Sequence, residues 1–97
     1  MSDAALRSPD AVPRRALGIR IRRVNGDFLI GEEDRALLLT DVARLIFASL
    51  DGRRSISDVA HLVANEYAVD EDEALQDVRE FLDDLTDKGI VAWKDAP

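Results

Sequence analysis

Cysteine is absent from this chain of 97 residues, and histidine occurs once, at position 61. Without cysteine the chain forms neither a disulfide bond nor a thiolate metal site, and it has no cysteine nucleophile. His61 cannot hold a metal ion alone, and no second ligand stands at Glu-x-x-His or His-x-x-x-His spacing. We therefore interpret His61 as a structural or surface residue and expect the protein to use no metal and no other cofactor.

A glycine-rich phosphate loop is also missing. Four of the five glycines fall at predicted ends of elements, where turn geometry explains them: Gly26, Gly31, Gly52 and Gly89. Carboxylates are abundant, and the paired ones lie on a predicted exposed helix, whereas a carboxylate needs desolvation to become a useful acid or base. We therefore expect no catalytic residues and no self-contained enzyme.

Long apolar runs are lacking as well. The segment MSDAALRSPDAVPRR has no apolar core of signal-peptide length, and no stretch approaches the roughly 18 apolar residues of a membrane span. We expect a cytoplasmic protein with no membrane partner.

The charges that are present give a formal net charge of -7 and are unevenly spread. Arginines crowd the first quarter of the chain, at positions 7, 14, 15, 20, 22 and 23, and acidic residues crowd the last third. An acidic surface repels phosphate backbones, so nucleic acid is not an expected partner. The acidic helix either attracts a basic peptide or is simply a solvated face.

Three short strands are predicted after a flexible tail of residues 1–17. Residues 19–25 alternate apolar and charged side chains with the period of a half-buried strand. Asn25-Gly26 is a strong hairpin signal, and residues 27–31 form the returning strand. The third candidate, residues 35–39, is too short for periodicity to separate strand from helix. Together the three segments predict a small antiparallel meander.

Three helices are predicted to follow. Thr40 is a good N-cap for the first. Ser55-x-x-Asp58 resembles a capping box at the start of the second, with Asp in place of the preferred Glu or Gln. Asp70-x-x-Glu73 is another box-like start, and it opens the third and longest helix, which covers about residues 71–88, with Gly89 at the left-handed position beyond its end.

Strands grouped before helices predict an α+β fold. Two short helices and a long one, attached to a small sheet, indicate a winged-helix-turn-helix-like domain with a three-stranded antiparallel sheet followed by three helices. We expect this domain to cover residues 18–93, followed by a C-terminal tail at 94–97. Residues 90–93 either return to the core or form an extra strand.

An edge of this sheet is a candidate binding surface. If Leu37 and Leu39 face the core, Leu38 faces outwards, and an exposed edge offers backbone groups to which an extended peptide can add as a strand. Alternatively, the third helix covers Leu38. On that helix Phe81 lies at the margin of the apolar face, where it either lines a groove beside the strand or belongs to the core.

The run from residue 18 to 91 resembles the PqqD family. The resemblance rests on four pieces: Leu39-Thr40, where the family favours Leu-Asn; a helix ending in Leu50-Asp51-Gly52; Ser55-Ile56; and Val78-x-x-Phe81-Leu82-x-x-Leu85-x-x-x-Gly89-Ile90-Val91. Thr40 departs from the usual Asn, but both residues cap helices.

The resemblance implies a recognition element for ribosomally made, post-translationally modified peptides. In such proteins the leader segment of the precursor peptide adds to the third strand and rests in the cleft between this strand and the third helix. The adaptor then delivers the precursor to a modifying enzyme. That enzyme is a radical S-adenosylmethionine protein in pyrroloquinoline quinone synthesis, whereas in lasso peptide pathways a similar protein serves a leader protease.

Carried over by position, the leader site involves residues of the third strand and the third helix. On the strand these are Arg35, Ala36, Leu37, Leu38 and Leu39, and on the helix they are Leu75, Val78, Arg79, Phe81, Leu82 and Leu85. Arg79 is expected to pair with a leader carboxylate, and Asp77 and Asp84 with a leader Lys or Arg.

Two other readings stay open. A winged-helix transcription regulator needs basic residues on its recognition helix, but the second and third helices are neutral to acidic. A structural module without a peptide ligand would use the domain as a homodimer whose interface covers the third strand.

Overall fold

The computed structural model describes residues 7–32 and 35–94. Within them the chain forms strands and helices in the order β1 (Pro13–Arg15), β2 (Ile21–Val24), β3 (Asp27–Ile30), β4 (Leu37–Leu39), α1 (Asp41–Ala48), α2 (Ile56–Tyr67), α3 (Glu71–Asp87) and β5 (Val91–Trp93). The predicted α+β class is confirmed, and the three predicted strands correspond to β2, β3 and β4.

The main sheet is an antiparallel meander with strand order β2-β3-β4. Its first turn is Asn25-Gly26, in which both residues have positive φ, 52° and 87°. Such a two-residue turn matches the right-handed twist of the flanking strands, so the Asn-Gly signal alone predicted this hairpin.

Strand β4 is shorter than the predicted 35–39. Its register pairs Leu39 with Phe28 and Leu37 with Ile30, so these side chains face the core. Leu38 pairs with Leu29 on the outer face, and its side chain is 50% exposed. The outward orientation predicted for Leu38 is therefore confirmed, and α3 does not cover it.

A second sheet of two strands was only half anticipated. The segment 90–93 does form a strand, β5, and its partner is β1, with Arg14 opposite Ala92. The described part of residues 1–17, predicted as a flexible tail, therefore contains a paired strand. The sequence did not show this strand because its partner is a distant segment and it has no local periodicity. Residues 1–6 of that predicted tail lie outside the described residues.

Further backbone bonds fix both ends of the domain. The N–H of Ile56 donates to the carbonyl of Ala11, and that of Ser57 to Pro9, at 2.9 and 3.0 Å. Lys94 N–H donates to Val12 at 2.9 Å. Residues 95–97 of the predicted C-terminal tail lie outside the described part of the chain.

The helix termini follow the sequence signals with two exceptions. Ser55 and Asp58 close a capping box through two bonds of 3.0 Å, as predicted. Thr40 stands at the N-cap of α1, but its side chain makes no capping bond. Asp70 accepts from Asp72 N–H at 3.0 Å and does not close a box three residues on. Gly89, with φ of 76°, follows α3 as predicted.

The turn between α1 and α2 is organised by one carboxylate. Asp51 accepts backbone hydrogen bonds from Arg54 and Arg53, both at 2.8 Å. These bonds favour the charged carboxylate and lower the pKa of Asp51 below its ordinary value, with the bond from Arg54 contributing most. The turn thereby fixes the entry into α2.

The core lies between the main sheet and the three helices. At its centre Phe28 of β3 and Phe47 of α1 meet edge to face, with ring centroids 5.1 Å apart. Helix α3 packs on α2 and β5, while α1 is the helix beside β4. In the main sheet β4 is an edge strand, and α1 is a helix that contacts it.

Candidate functional site

The backbone of β4 offers hydrogen-bonding groups at the edge of the sheet. The two-residue turn makes Val24 and Asp27 a hydrogen-bonded pair of β2 and β3, and hydrogen-bonded pairs recur at every second position along the ladder. In agreement, the Gly31 N–H donates to the Arg20 carbonyl at 2.8 Å. Successive residues of a strand direct their N–H and C=O groups to opposite sides. Since Asp27 bonds to β2, the backbone groups of Phe28 and Ile30 point to β4. Their partners Leu39 and Leu37 use the inner side of β4, and the N–H and C=O of Leu38 point to the free edge.

A cleft of about 650 Å³ opens at the end of the main sheet where β3 ends and β4 begins. Its floor is apolar, formed by Ile19, Ile30, Ala36, Leu37 and Ile90. Four charged residues stand around it, Arg20, Glu32, Arg35 and Lys88. An apolar depression with a mainly cationic rim, next to a free strand edge, is suited to an extended peptide that carries apolar and acidic side chains.

Two of the rim cations already have acidic neighbours. Arg20 lies 3.7 Å from the Glu32 carboxylate, and Lys88 lies 2.6 Å from Asp84, four residues earlier in the chain. Both pairs are exposed, so each contributes little to stability and can rearrange around a ligand. Asp84, predicted to meet a basic leader residue, is therefore engaged with Lys88.

Four of the predicted site residues are interior. Val78, Leu82 and Leu85 of α3 have no exposed surface, and Leu39 is 2% exposed. The same helical face cannot both fill the core and face a groove, so these side chains support the site only by positioning α3 and β4.

Two further predicted residues of α3, Leu75 and Arg79, lie away from the cleft. Leu75 and Arg79 line a separate depression of about 360 Å³ together with acidic neighbours such as Glu80. The Arg79 guanidinium donates to the Arg7 carbonyl at 3.1 Å. The structure therefore does not bring Leu75 or Arg79 into the cleft at β4.

Phe81 is half-buried and packs against the core. From β4 and its approach, the structure brings Arg35, Ala36 and Leu37 together around the cleft, with Leu38 at the edge beside them. Of the predicted set, Arg35, Ala36 and Leu37 line the cleft, and Leu38 follows them on the outer face of β4.

Eight of the residues that line the cleft were missed from the sequence, namely Gly18, Ile19, Arg20, Ile30, Gly31, Glu32, Lys88 and Ile90. Ile19 begins the alternating pattern of the first predicted strand, and Ile90 begins the apolar segment after α3. Both positions carried a local apolar signal, but no local signal shows that the two segments meet.

His61 lies on the surface of α2, where its Nδ1 contacts the Glu71 carboxylate. Across residues 7–32 and 35–94, no three His, Asp or Glu side chains are arranged to hold a metal ion. No helix in this part of the chain is long and apolar enough to cross a membrane.

Comparison with known proteins identifies the family. The family model described as "Coenzyme PQQ synthesis protein D (PqqD)" matches residues 28–91. The chain belongs to the PqqD family. The matched segment begins in β3 and includes β4 and all three helices, so it covers the free strand edge and most of the cleft.

Two curated relatives match most of the chain. A protein named "PqqA binding protein" from Rhizobium meliloti (strain 1021) is 30% identical over 87 residues, which is 88% of this chain and 89% of that protein. A second, of the same name, from Rhodopseudomonas palustris (strain BisB5) is 34% identical over 84 residues, 87% of this chain and 81% of the relative.

A solved PqqD structure has the same fold. It is the solution NMR structure of the PqqD truncation of Methylobacterium extorquens PqqCD, described as a functional and stand-alone recognition element for ribosomally synthesized and post-translationally modified peptides. The TM-score is 0.70 at 25% identity, covering 88% of this chain and 93% of that one. The resemblance drawn from the sequence is therefore confirmed at the level of family and fold.

Proposed function

We propose that this chain is a non-catalytic adaptor that binds the leader segment of a ribosomally made precursor peptide and delivers it to a modifying enzyme. The precursor is a PqqA-like peptide, and the enzyme is a radical S-adenosylmethionine protein. The observation that carries the proposal is the free edge of β4 at Leu38, which lies beside an apolar cleft in a chain whose relatives are named PqqA binding proteins.

The leader adds to β4 as a fourth strand of the main sheet. Leu38 presents one N–H donor and one C=O acceptor to it, and the leader residue opposite Leu38 faces outwards as Leu38 does. The neighbours of that residue then point to the other face, where the side chain of Leu37 lines the cleft.

The cleft supplies the selectivity that backbone bonds lack. Burying one leucine-sized side chain of the leader contributes about 1.5–3 kcal/mol, and each backbone hydrogen bond contributes about 1 kcal/mol net. Ordering an extended peptide offsets part of this gain. Leader affinity therefore depends on placing an apolar residue in the cleft, with acidic residues near Arg20, Arg35 and Lys88.

Delivery follows from the geometry of strand addition. A bound leader lies along the surface of the domain, so the rest of the precursor extends away from it towards the enzyme. The modified residues therefore need no contact with this chain, and the chain needs no catalytic side chain.

A titration of the ¹⁵N-labelled chain with synthetic PqqA peptide tests the proposal, with a scrambled peptide of the same composition as control. We expect the amide signals of Leu37–Leu39 and Ile90 to shift with PqqA and the Leu38 N–H to become protected from hydrogen exchange. Absence of these shifts at high micromolar peptide, or equal shifts with the scrambled peptide, would refute leader recognition at β4.

A further inference from the structure

Strand β4 is followed by one more extended residue. Thr40 comes directly after Leu39, and its φ of -120° and ψ of 166° are extended backbone angles. Asp41 has a φ of 51°, in the left-handed region, and turns the chain into α1. The extended run that begins with β4 therefore continues through Thr40 before the chain leaves the sheet.

Thr40 has the same orientation as Leu38. Successive residues of an extended run alternate between the two faces of a sheet, and their backbone groups alternate between its two edges. Leu39 faces the core, so the Thr40 side chain lies on the outer face, where this residue is exposed. The N–H of Thr40 then points to the free edge, as the N–H and C=O of Leu38 do.

The hydroxyl of Thr40 is not used for capping the helix that follows. A threonine at the N-cap normally accepts a hydrogen bond from an N–H of the first helical turn, but the Thr40 side chain makes no such bond with α1. Its carbonyl does serve the helix, because it accepts from the Arg44 N–H at 3.2 Å. Helix α1 thus engages the carbonyl of Thr40 and leaves the hydroxyl available on the outer face.

On the basis of the proposed function, which supplies the leader strand, we infer that Thr40 is a second leader-binding residue of the β4 edge. Its hydroxyl selects a hydrogen-bonding side chain of the leader, two positions from the leader residue opposite Leu38. Residues two apart on an extended strand lie about 7 Å from each other on one face, so a leader strand that meets Leu38 also passes Thr40. Threonine forms such hydrogen bonds with serine or threonine across neighbouring strands.

The two positions define the class of leader and its register. Leu38 favours an apolar leader residue, whereas the Thr40 hydroxyl both donates and accepts and therefore favours Ser, Thr, Asn or Asp. A slip of the leader by two residues would keep every leader side chain on its own face, so alternation alone does not prevent it. A slipped leader would place another side chain at Thr40, and the hydroxyl therefore distinguishes the correct register from the slipped one.

Thr40→Val tests this role, because it removes the hydroxyl and keeps the shape of the side chain and the backbone N–H. We expect synthetic PqqA to bind about two- to fivefold more weakly in calorimetry. Thr40→Ser keeps a hydroxyl and should stay within about twofold of the parent chain. Unchanged affinity of Thr40→Val would overturn the inference.

Stability separates leader binding from helix capping. Thr40→Val should leave the urea midpoint unchanged, because no capping bond is lost. Ser55→Ala is the matched comparison, since the Ser55 hydroxyl accepts a capping bond from the Asp58 N–H at 3.0 Å, and its urea midpoint should fall. An equal fall with Thr40→Val would also overturn the inference, because it would assign the hydroxyl to capping.

Paired substitutions locate the leader residue that meets Thr40. Alanine replaces each PqqA residue in turn, and every peptide is titrated with the parent chain, Thr40→Val and Leu38→Ala. We expect non-additive losses for Thr40→Val at one polar peptide residue and for Leu38→Ala at an apolar residue two positions away. Coupling of both to one peptide residue, or to residues an odd number apart, would overturn the inference. The leader proposal would still stand in that case, because Leu38→Ala would still weaken binding. Failure of the parent chain to bind PqqA would refute the leader proposal and the role of Thr40 together.

Discussion

The two edges of the main sheet have the same backbone chemistry and different side chains. Strand β2 has the sequence IRRV and is exposed at three of its four positions, including Arg22 and Arg23. Strand β4 has the sequence LLL and carries no charge. Charged side chains on an edge strand discourage the addition of another strand, whereas an uncharged edge permits it. The charged edge at β2 therefore disfavours the addition of another strand, whereas the uncharged edge at β4 permits it.

The difference between the two edges lies in their side chains and not in their backbone groups. By the same alternation that directs Leu38 outwards, Ile21 and Arg23 direct their N–H and C=O groups to the free side of β2. Both edges therefore offer an extended peptide similar hydrogen bonds. Under the proposed function, the arginines on β2 and the apolar cleft near β4 direct the leader to β4. Each prediction below alters one of these two edges.

The largest effect is expected from Leu38→Pro. Proline removes the N–H that points to the free edge without breaking a ladder bond to β3, and edge strands tolerate proline. We expect PqqA to bind about tenfold more weakly or not at all, measured by calorimetry. Thermal unfolding followed by circular dichroism serves as the control for folding. Unchanged affinity in a folded variant would exclude strand addition at this edge.

Leu38→Arg makes β4 resemble β2 while keeping its backbone groups. The outward-facing leader residue loses an apolar cross-strand neighbour worth up to about 1 kcal/mol, so affinity should fall by up to about fivefold. Leu29→Arg is the matched control, since Leu29 occupies the same face of the central strand. A larger loss of PqqA affinity with Leu29→Arg than with Leu38→Arg would place the leader on the outer face and not at the edge.

Arg22→Leu removes one of the two charged side chains of the β2 edge. We expect a weak tendency to self-associate, seen as an average mass in sedimentation that rises with concentration, because an apolar edge pairs more readily with another chain. Arg53→Leu makes the same change at an exposed position in the turn before α2 and should leave the mass unchanged. If both variants associate equally, general hydrophobicity and not the β2 edge is responsible.

The smallest effect on binding is expected from Ala68→Gly. Ala68 ends α2 with φ of 54° in the left-handed region, which costs alanine about 1 kcal/mol relative to glycine. The variant should gain about that much free energy of unfolding in urea titrations and bind PqqA unchanged. A change in affinity would mean that leader binding follows global stability as well as the edge.

The parts of the fold that local chemistry determines were predictable from sequence. Asn25-Gly26 fixed the hairpin, Ser55 with Asp58 fixed the start of α2, and Gly89 fixed the end of α3. The pairing of β1 with β5 was missed because it depends on segments that are neighbours only in the folded chain.

The sequence likewise predicted only the part of the candidate site that local alternation determines. Alternation along β4 predicted that Leu38 faces outwards, and the register confirms it. Periodicity on α3 marked Val78, Leu82 and Leu85 as apolar but could not tell a core face from a groove face. Burial of all three shows that the helix uses that face to fill the core, while Ile19 and Ile90 form the cleft floor in its place.

The pairing of β1 with β5 has a practical consequence for tethering. Arg14 lies opposite Ala92, so the described chain enters and leaves the domain side by side through one narrow ribbon. Residues before β1 continue along α2, where Ala11 and Pro9 accept bonds from Ile56 and Ser57, and β4 belongs to the other sheet. Because Gly18 and Ile90 line the cleft and lie close in sequence to β1 and β5, a carrier fused at either end stands near the cleft, so the fusion needs a flexible linker to keep the β4 edge accessible.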